Sequence, residues 1–253
     1  MIFLTLCLLA LSSLQAQGKY EMEPLAAPLS INGDPTDWPT ETWTWAGREP
    51  VRLAVAYDEA YLYLGFTTED PKWQNQILMT GLSVRVLPNG QKGLTHHVGF
   101  PVGVSPALRP TDPNQLARYL FQMQRNRARL LGTMVGAELV GFGEKADTLW
   151  TTETEPLGLQ AVAAWDERGI GLTVEYRIAW PELSEAVDLK KLKLHWLTGA
   201  LGRPEQLRGG DAAGLNQGAP ASAEERQWYQ RLDTYRQYSD PREVKIRKVV
   251  WGD

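Results

Sequence analysis

The sequence has very little cysteine, little histidine and no surplus of positive charge. It contains one cysteine and three histidines in 253 residues. Cys7 lies in an apolar N-terminal stretch that export would remove, so the remaining chain would have no disulfide and no thiolate nucleophile or metal ligand. Lysine and arginine number 26 against 30 acidic residues, a formal net charge of −4. This balance gives no support for nucleic acid or an anionic membrane as a partner.

The apolar stretch at residues 1–18 predicts a secretory signal peptide. It is too short to span a bilayer, and it ends in small residues, with cleavage expected after Ala16 or Gly18. No later apolar run approaches the ~20 residues that a membrane helix needs. We therefore expect a secreted, periplasmic or cell-surface protein with no transmembrane segment, in which residues 19–253 form one domain.

Short alternating segments predict a mainly β protein, an antiparallel β-sandwich. Val51–Tyr57 alternates with period two, and Tyr61–Phe66 follows after a short acidic turn, which predicts a hairpin. Further strands are predicted at Leu82–Leu87, Leu94–Phe100, Leu157–Ala164, Gly171–Ile178, Lys191–Trp196 and Val244–Val250.

Two segments depart from the strand pattern and predict helices. Thr111-Asp112-Pro113 is typical of a helix start, and the helical spacing of apolar residues continues to about Leu131. This helix is inserted between strands. Residues 222–225 read Ser-Ala-Glu-Glu, a capping box that opens a helix before the last strand. The glycine-rich segment 199–220 predicts a long loop.

Two motifs go beyond generic strand patterning. Ile31–Pro71 combines an Asn-Gly-Asp turn, an Asp-Trp-Pro stop and a hairpin that closes in Glu-Asp-Pro. Leu172–Leu183 reads LTVEYRIAWPEL. Together they resemble the family 9 carbohydrate-binding modules and the wider DOMON-like β-sandwiches. The resemblance extends from about Ser30 to the end of the chain and implies the same sandwich, with the first helix as an insertion.

The resemblance implies a saccharide site at one rim of the sandwich. The ligand-binding positions carried over to this sequence are Trp73, Gln74, Asn75, Arg85 and Tyr238. Flat aromatic rings suit the apolar C–H faces of sugars, and polar side chains orient the hydroxyl groups. Packing of Trp73 over a loop is the alternative to a stacking role.

Two departures from the family leave the ligand open. Arg85 stands where the family has a glutamate, so it can donate to hydroxyl groups but cannot accept from them. Residues 198–200, Thr-Gly-Ala, replace the family's Asn-Asp pair. One alternative is therefore an envelope or surface interaction protein with a degenerate ligand site. A protein partner would then dock on the arginines of the first helix, which are otherwise expected to form a solvated face: Arg118, Arg125, Arg127 and Arg129.

We expect no cofactor. Haem and structural calcium are the alternatives, because the resemblance to the DOMON-like sandwiches implies that either could be bound. The candidate haem ligands are His96, His97, His195, Met79, Met123 and Met134. His96 and His97 are adjacent on a predicted strand, so they should point to opposite faces, and His195 alternates with lysines and should face water. Asp34 and Asp37 flank a turn and could bind calcium or act as turn caps.

No sequence motif indicates catalysis. The chain has no Gly-x-Ser-x-Gly elbow, no His-Glu-x-x-His pair, no P-loop and no dinucleotide fingerprint. The sequence therefore predicts a secreted, non-catalytic carbohydrate-binding protein. A haem-binding electron-transfer module and a surface interaction protein are the alternatives.

Overall fold

The computed structural model describes residues 20–88, 96–142, 149–152, 154–183, 192–202 and 222–251, which form twelve strands and three α-helices. The strands are β1 (Tyr20–Pro24), β2 (Thr44–Trp45), β3 (Val51–Tyr57), β4 (Tyr61–Thr68), β5 (Leu82–Pro88), β6 (His96–Gly99), β7 (Ala137–Val140), β8 (Leu149–Thr151), β9 (Leu159–Trp165), β10 (Leu172–Ala179), β11 (Leu192–Thr198) and β12 (Glu243–Trp251). The helices are α1 (Pro71–Thr80), α2 (Pro113–Gly132) and α3 (Ala223–Arg236).

The strands form two sheets that enclose one apolar core. Sheet I has the order β8-β7-β6-β5-β11-β12-β1, and sheet II has the order β1-β3-β4-β10-β9, with β2 also paired to β3. All pairs are antiparallel except those of β1, which runs parallel to β12 in its first half and to β3 in its second half. The predicted β-sandwich, with an inserted helix and a helix before the last strand, is confirmed.

Alternation along a strand decides which side chains enter the core. In β11, Leu192, Leu194 and Trp196 are buried, and the lysine and histidine between them lie on the outer face. β4 and β10 differ, because almost all of their residues are buried on both faces. The outer face of sheet II must therefore be covered by another part of the chain.

The segment between β1 and β2 supplies this cover. It forms a second apolar cluster with outer-face residues of β3 and β4, whose members are Leu29, Ile31, Trp38, Ala54, Ala56 and Tyr63. The Trp43 ring lies so close to β4 that a Cβ at Gly65 would be 2.7 Å from it. The missing side chain at Gly65 is what lets the indole approach the strand.

A buried carboxylate holds this segment on the sheet. Glu175 lies on the outer face of β10, and none of its surface is exposed. Its Oε2 accepts hydrogen bonds from the backbone N–H groups of Asn32 (3.1 Å) and Gly33 (2.8 Å), and its Oε1 accepts one from the Trp38 indole (2.7 Å). Burial raises the pKa of Glu175, and the three N–H donors oppose that shift. The two motifs identified in the sequence therefore bind each other directly.

Two local details differ from the sequence predictions. No helix was predicted after the hairpin, but Pro71–Thr80 forms α1, which contains Trp73. The Asp70 carboxylate caps this helix by accepting from the Trp73 N–H at 2.9 Å. The strand predicted from Leu157 begins two residues later at Leu159, because a short 3-10 turn precedes it.

The predicted start of α2 is confirmed, since Asp112 accepts from the N–H groups of Asn114 (2.8 Å) and Gln115 (3.0 Å) and proline follows it.

The predicted signal peptide and most of the glycine-rich loop, residues 203–221, lie outside the described residues. Within the described ranges, no helix is both long and apolar enough to cross a bilayer.

Replacing Glu175 by glutamine should destabilise the fold, because an amide NH₂ would then face an N–H donor. A buried donor left without its acceptor costs about 1–3 kcal/mol of unfolding free energy. Urea unfolding of Glu175→Gln measures this loss. The control is Glu59→Gln, at an exposed site in the β3–β4 turn. Equal unfolding free energies for the two variants would contradict the role of Glu175.

Candidate functional site

Three of the five predicted ligand-binding residues are buried. Trp73 has none of its surface exposed, and Gln74 and Tyr238 are 4% and 3% exposed. The Trp73 ring packs on Phe66 with 5.5 Å between ring centroids, and its Nε1 donates to Glu49 Oε2 at 3.0 Å. In this conformation the indole belongs to the core, and a sugar reaches it only if α1 moves.

The other predicted residues divide between two places. Asn75 Nδ2 donates to the Tyr238 hydroxyl at 3.4 Å, and Gln74 Nε2 donates to two main-chain carbonyls at 3.0 and 2.6 Å. These residues and Trp73 form one packed cluster at α1. Arg85 lies elsewhere, on the outer face of sheet I. Ligand binding by the five residues stays a prediction.

An open cleft of about 970 Å³ lies on the outer face of sheet II, a size typical of small-molecule sites, which span ~300–1,000 Å³. It borders the part of the sheet where the outer residues carry no apolar cover. A row of direct cross-strand partners lies along the cleft. The row crosses β2, β3, β4, β10 and β9, and its members in that order are Trp45, Arg52, Thr67, Thr173 and Ala164. The last three are small, so the cleft is deepest over them.

Three turns line the cleft and supply polar groups. The first turn, residues 32–36, is the one that Glu175 holds. The second joins β4 to α1 and contributes Glu69. The third joins β9 to β10 and contributes Asp166 and Arg168. Arg168 Nη2 lies 3.2 Å from Glu69 Oε1 and 3.3 Å from Asp166 Oδ2, so it links the second turn to the third.

Trp45 presents an exposed indole at the edge of the cleft, with 60% of its surface accessible. The guanidinium carbon of Arg52 lies 5.9 Å from the Trp45 ring centroid and 5.8 Å from that of Trp43. Cation–π attraction at these distances orients the guanidinium between the two rings. The cleft therefore has a flat apolar surface with hydrogen-bond donors beside it.

Sequence reasoning missed Trp45, although a signal was present. Trp43 and Trp45 are separated by one residue, a spacing that places both side chains on one face of an extended chain. Strand β2 has only two residues. It is too short for the alternation that marks a strand in a sequence.

Two carboxylates in the cleft, Asp34 and Asp166, have pKa values below the usual range. Hydrogen bonds from the side chain and backbone of Thr36 lower the pKa of Asp34. Burial of Asp166 favours its neutral form, but the N–H groups of Ile170 and Gly171 and the adjacent Arg168 outweigh it and lower the pKa. Ionised carboxylates accept hydrogen bonds, so they suit a ligand rich in hydroxyl groups.

The two candidate calcium ligands have bonds within their own turn. Asp34 Oδ1 accepts from Thr36 N (2.9 Å) and Oγ1 (2.7 Å), and Asp37 Oδ2 accepts from Asn32 Nδ2 (2.8 Å). The turn role given as the alternative to calcium is therefore present. Nowhere in the described ranges do three or more His, Cys, Asp or Glu side chains come together as a metal site.

The candidate haem ligands divide between the core and the outer face. His96 is buried against Phe142, with 5.3 Å between ring centroids, and His97 lies on the opposite face of β6, as predicted. The three methionines are buried. His195 was expected to face water, but only 14% of its side chain is exposed, because Glu243 covers it with a contact of 3.0 Å.

Comparison with known proteins gives no family assignment. No protein-family model and no curated protein matches the chain. A solved structure of a family 9 carbohydrate-binding module from Caldicellulosiruptor kristjanssonii in complex with cellotriose is similar, with 10% identity and a TM-score of 0.34 over 71% of this chain and 75% of that one. A structure of such a module with glucose has 9% identity and a TM-score of 0.34 over 71% and 77%. Function is therefore argued from the residues of this chain.

Truncation should distinguish the core tryptophan from the exposed one. Trp73→Ala empties a buried indole site and should lower the unfolding free energy by about 3–5 kcal/mol. Trp45→Ala removes an exposed ring and should lower it by about 1 kcal/mol or less. Urea unfolding of both variants gives the two values, and a larger loss for Trp45→Ala would contradict this assignment.

Proposed function

We propose that the protein is a secreted, non-catalytic carbohydrate-binding protein whose saccharide lies in the cleft on sheet II. The observation that carries this proposal is Trp45, an indole with 60% exposure at the edge of a cleft of about 970 Å³. Because it borders a cleft, this exposed indole offers a flat apolar face on which a sugar ring can stack. The secretory signal on which export depends stays a prediction.

The chemistry of the cleft suits a neutral sugar. One apolar face of a pyranose ring would stack on Trp45, with the Arg52 guanidinium donating to hydroxyl oxygens. Carboxylates such as Asp34 would accept from hydroxyl groups on the other side. Thr67 and Thr173 also line the cleft, but both are buried and the Thr173 hydroxyl donates to that of Thr67 at 3.3 Å. Stacking with a few directional bonds gives weak binding, on the order of micromolar to millimolar.

Two carboxylates of the cleft do not suit the general-acid role that glycoside hydrolysis requires. A glycosidase needs one carboxyl group that stays protonated at its working pH, beside one that is ionised. The two cleft carboxylates with shifted pKa values, Asp34 and Asp166, are both shifted downward. Asp34 and Asp166 are therefore suited to accept hydrogen bonds from a ligand and not to serve as a general acid.

Isothermal titration with neutral oligosaccharides tests the proposal. The probes are cello-, xylo-, manno- and chito-oligosaccharides, each against the wild type, Trp45→Ala and Phe121→Ala. We expect Trp45→Ala to weaken binding about tenfold or more, equivalent to ~1.4 kcal/mol. Phe121→Ala is the matched control, because this ring is 61% exposed but lies on α2 outside the cleft. It should leave binding unchanged.

Three results would overturn the proposal in different ways. If no probe binds the wild type, the sandwich has another role, and a surface interaction protein becomes the better explanation. Equal losses in the Trp45 and Phe121 variants would remove the cleft as the site. Binding that survives Trp45→Ala but is lost in Asn75→Ala would place the sugar beside α1, at the residues predicted from the sequence.

A further inference from the structure

A second polar cluster lies on the outer face of sheet I. Four basic side chains on β12, β11, β5 and β6 are direct cross-strand partners in one row: Lys245, His195, Arg85 and His97. Direct partners have Cβ atoms about 4.5–5.5 Å apart, and like charges placed opposite each other are destabilising. Protonating the two histidines of this row is therefore easier when a negative charge lies close to it.

Acidic side chains lie near the two ends of this row, Glu243 at His195 and Lys245, and Glu138 near His97. Glu243 binds both His195 (3.0 Å) and Lys245 (2.6 Å). Arg85 is half-buried, and the described residues give it no hydrogen-bond or ion-pair partner. Shielding a guanidinium from water without pairing it is costly, because its lost hydration is not replaced. Negative charge is thus missing at the centre of the row.

His97 also has an unused polar atom. Its Nε2 is shielded from solvent and has no partner. It borders a cavity of about 190 Å³ that Ser83 and Glu138 also line. His97 Nε2 and Glu138 Oε2 lie on the same side of Gly99, since a Cβ there would be 3.5 Å from the first atom and 3.4 Å from the second. A small polar group has room beside the row.

We propose that the row binds an oxoanion group, a sulfate, phosphate or carboxylate, with Arg85 as its central donor. A guanidinium presents paired N–H groups that match two oxygens of such an anion. The imidazoles of His97 and His195 flank Arg85 and can donate to the anion when protonated. Glu138 repels negative charge, so the anion lies over Arg85 and not deep in the cavity. This inference is independent of the saccharide cleft on the other sheet.

Anion binding should be linked to histidine protonation. Burial lowers the pKa of His97, with Arg85 adding to the shift and Glu138 opposing it. Burial and then Lys245 lower the pKa of His195, Arg85 lowers it further, and Glu243 opposes the shift. A bound anion favours the protonated rings, so it raises both pKa values. By linkage, the anion binds more tightly as the pH falls through those values.

Histidine NMR provides a direct test, because the chain has three histidines. Imidazole signals are followed from about pH 5 to 8 in sodium sulfate and in sodium chloride of equal ionic strength. Sulfate should raise the pKa values of His97 and His195 by about 0.5 or more, which corresponds to roughly threefold tighter binding to the protonated form. His96 is the internal control, because it points into the core from the same strand.

Matched variants locate the site. Arg85→Gln should abolish the sulfate effect, whereas Arg247→Gln removes the same charge at an exposed position of β12 and should retain it. Circular dichroism confirms that each variant is folded. Repeating the titration with sodium glucuronate and with glucose shows whether a sugar carboxylate can serve as the anion.

Several results would refute the oxoanion site. Sulfate shifts no larger than those in chloride, or equal shifts at His96, would exclude it. An equal loss in Arg247→Gln would show general charge attraction and not a site at Arg85. A shift of His97 by Zn²⁺ with none by sulfate would indicate a cation site with Glu138 instead.

Discussion

The outer layer of sheet II depends on one buried carboxylate. Glu175 gives up hydration to enter the protein, and three N–H groups from residues 32–38 replace the water. Hydrogen bonds to an ionised acceptor are stronger than neutral ones, which is how a short loop can be fixed by a single side chain. The residues they join are more than 130 positions apart in the chain. The loop fixed in this way also lines the cleft on sheet II.

The two sheets expose different chemistry as a consequence. On sheet II, the covering segment packs on part of the outer face, and the cleft beside Trp45 brings aromatic and acidic groups together. On sheet I, the strands carry their polar side chains outward, and basic residues meet across four of them. One face is thus suited to a neutral ligand rich in hydroxyl groups and the other to a negatively charged group.

Local patterns predicted the strands well, because alternation records which face of a strand is buried. The start of α2 was predicted from Asp112 and the proline after it, yet Asp70 and Pro71 give the same signal for α1 and were missed. Trp73 occupies the position expected from the family resemblance, but position along the chain does not determine which way a helix turns a side chain. The role of Glu175 depends on a loop distant in sequence, so no local pattern could reveal it.

Strand β1 has a consequence for how the protein folds. Its second half pairs with the nearby β3, whereas its first half pairs with β12, where Tyr20 and Val249 are 229 positions apart in the chain. Loop-closure entropy must be overcome before such a contact forms, so pairing of this kind is slow. While β12 is still being synthesised, the free edge of β1 stays open to strands from other chains. Pairing of β12 with β1 is therefore a late step of folding. The risk of aggregation through the edge of β1 falls when residues 243–251 pair with it.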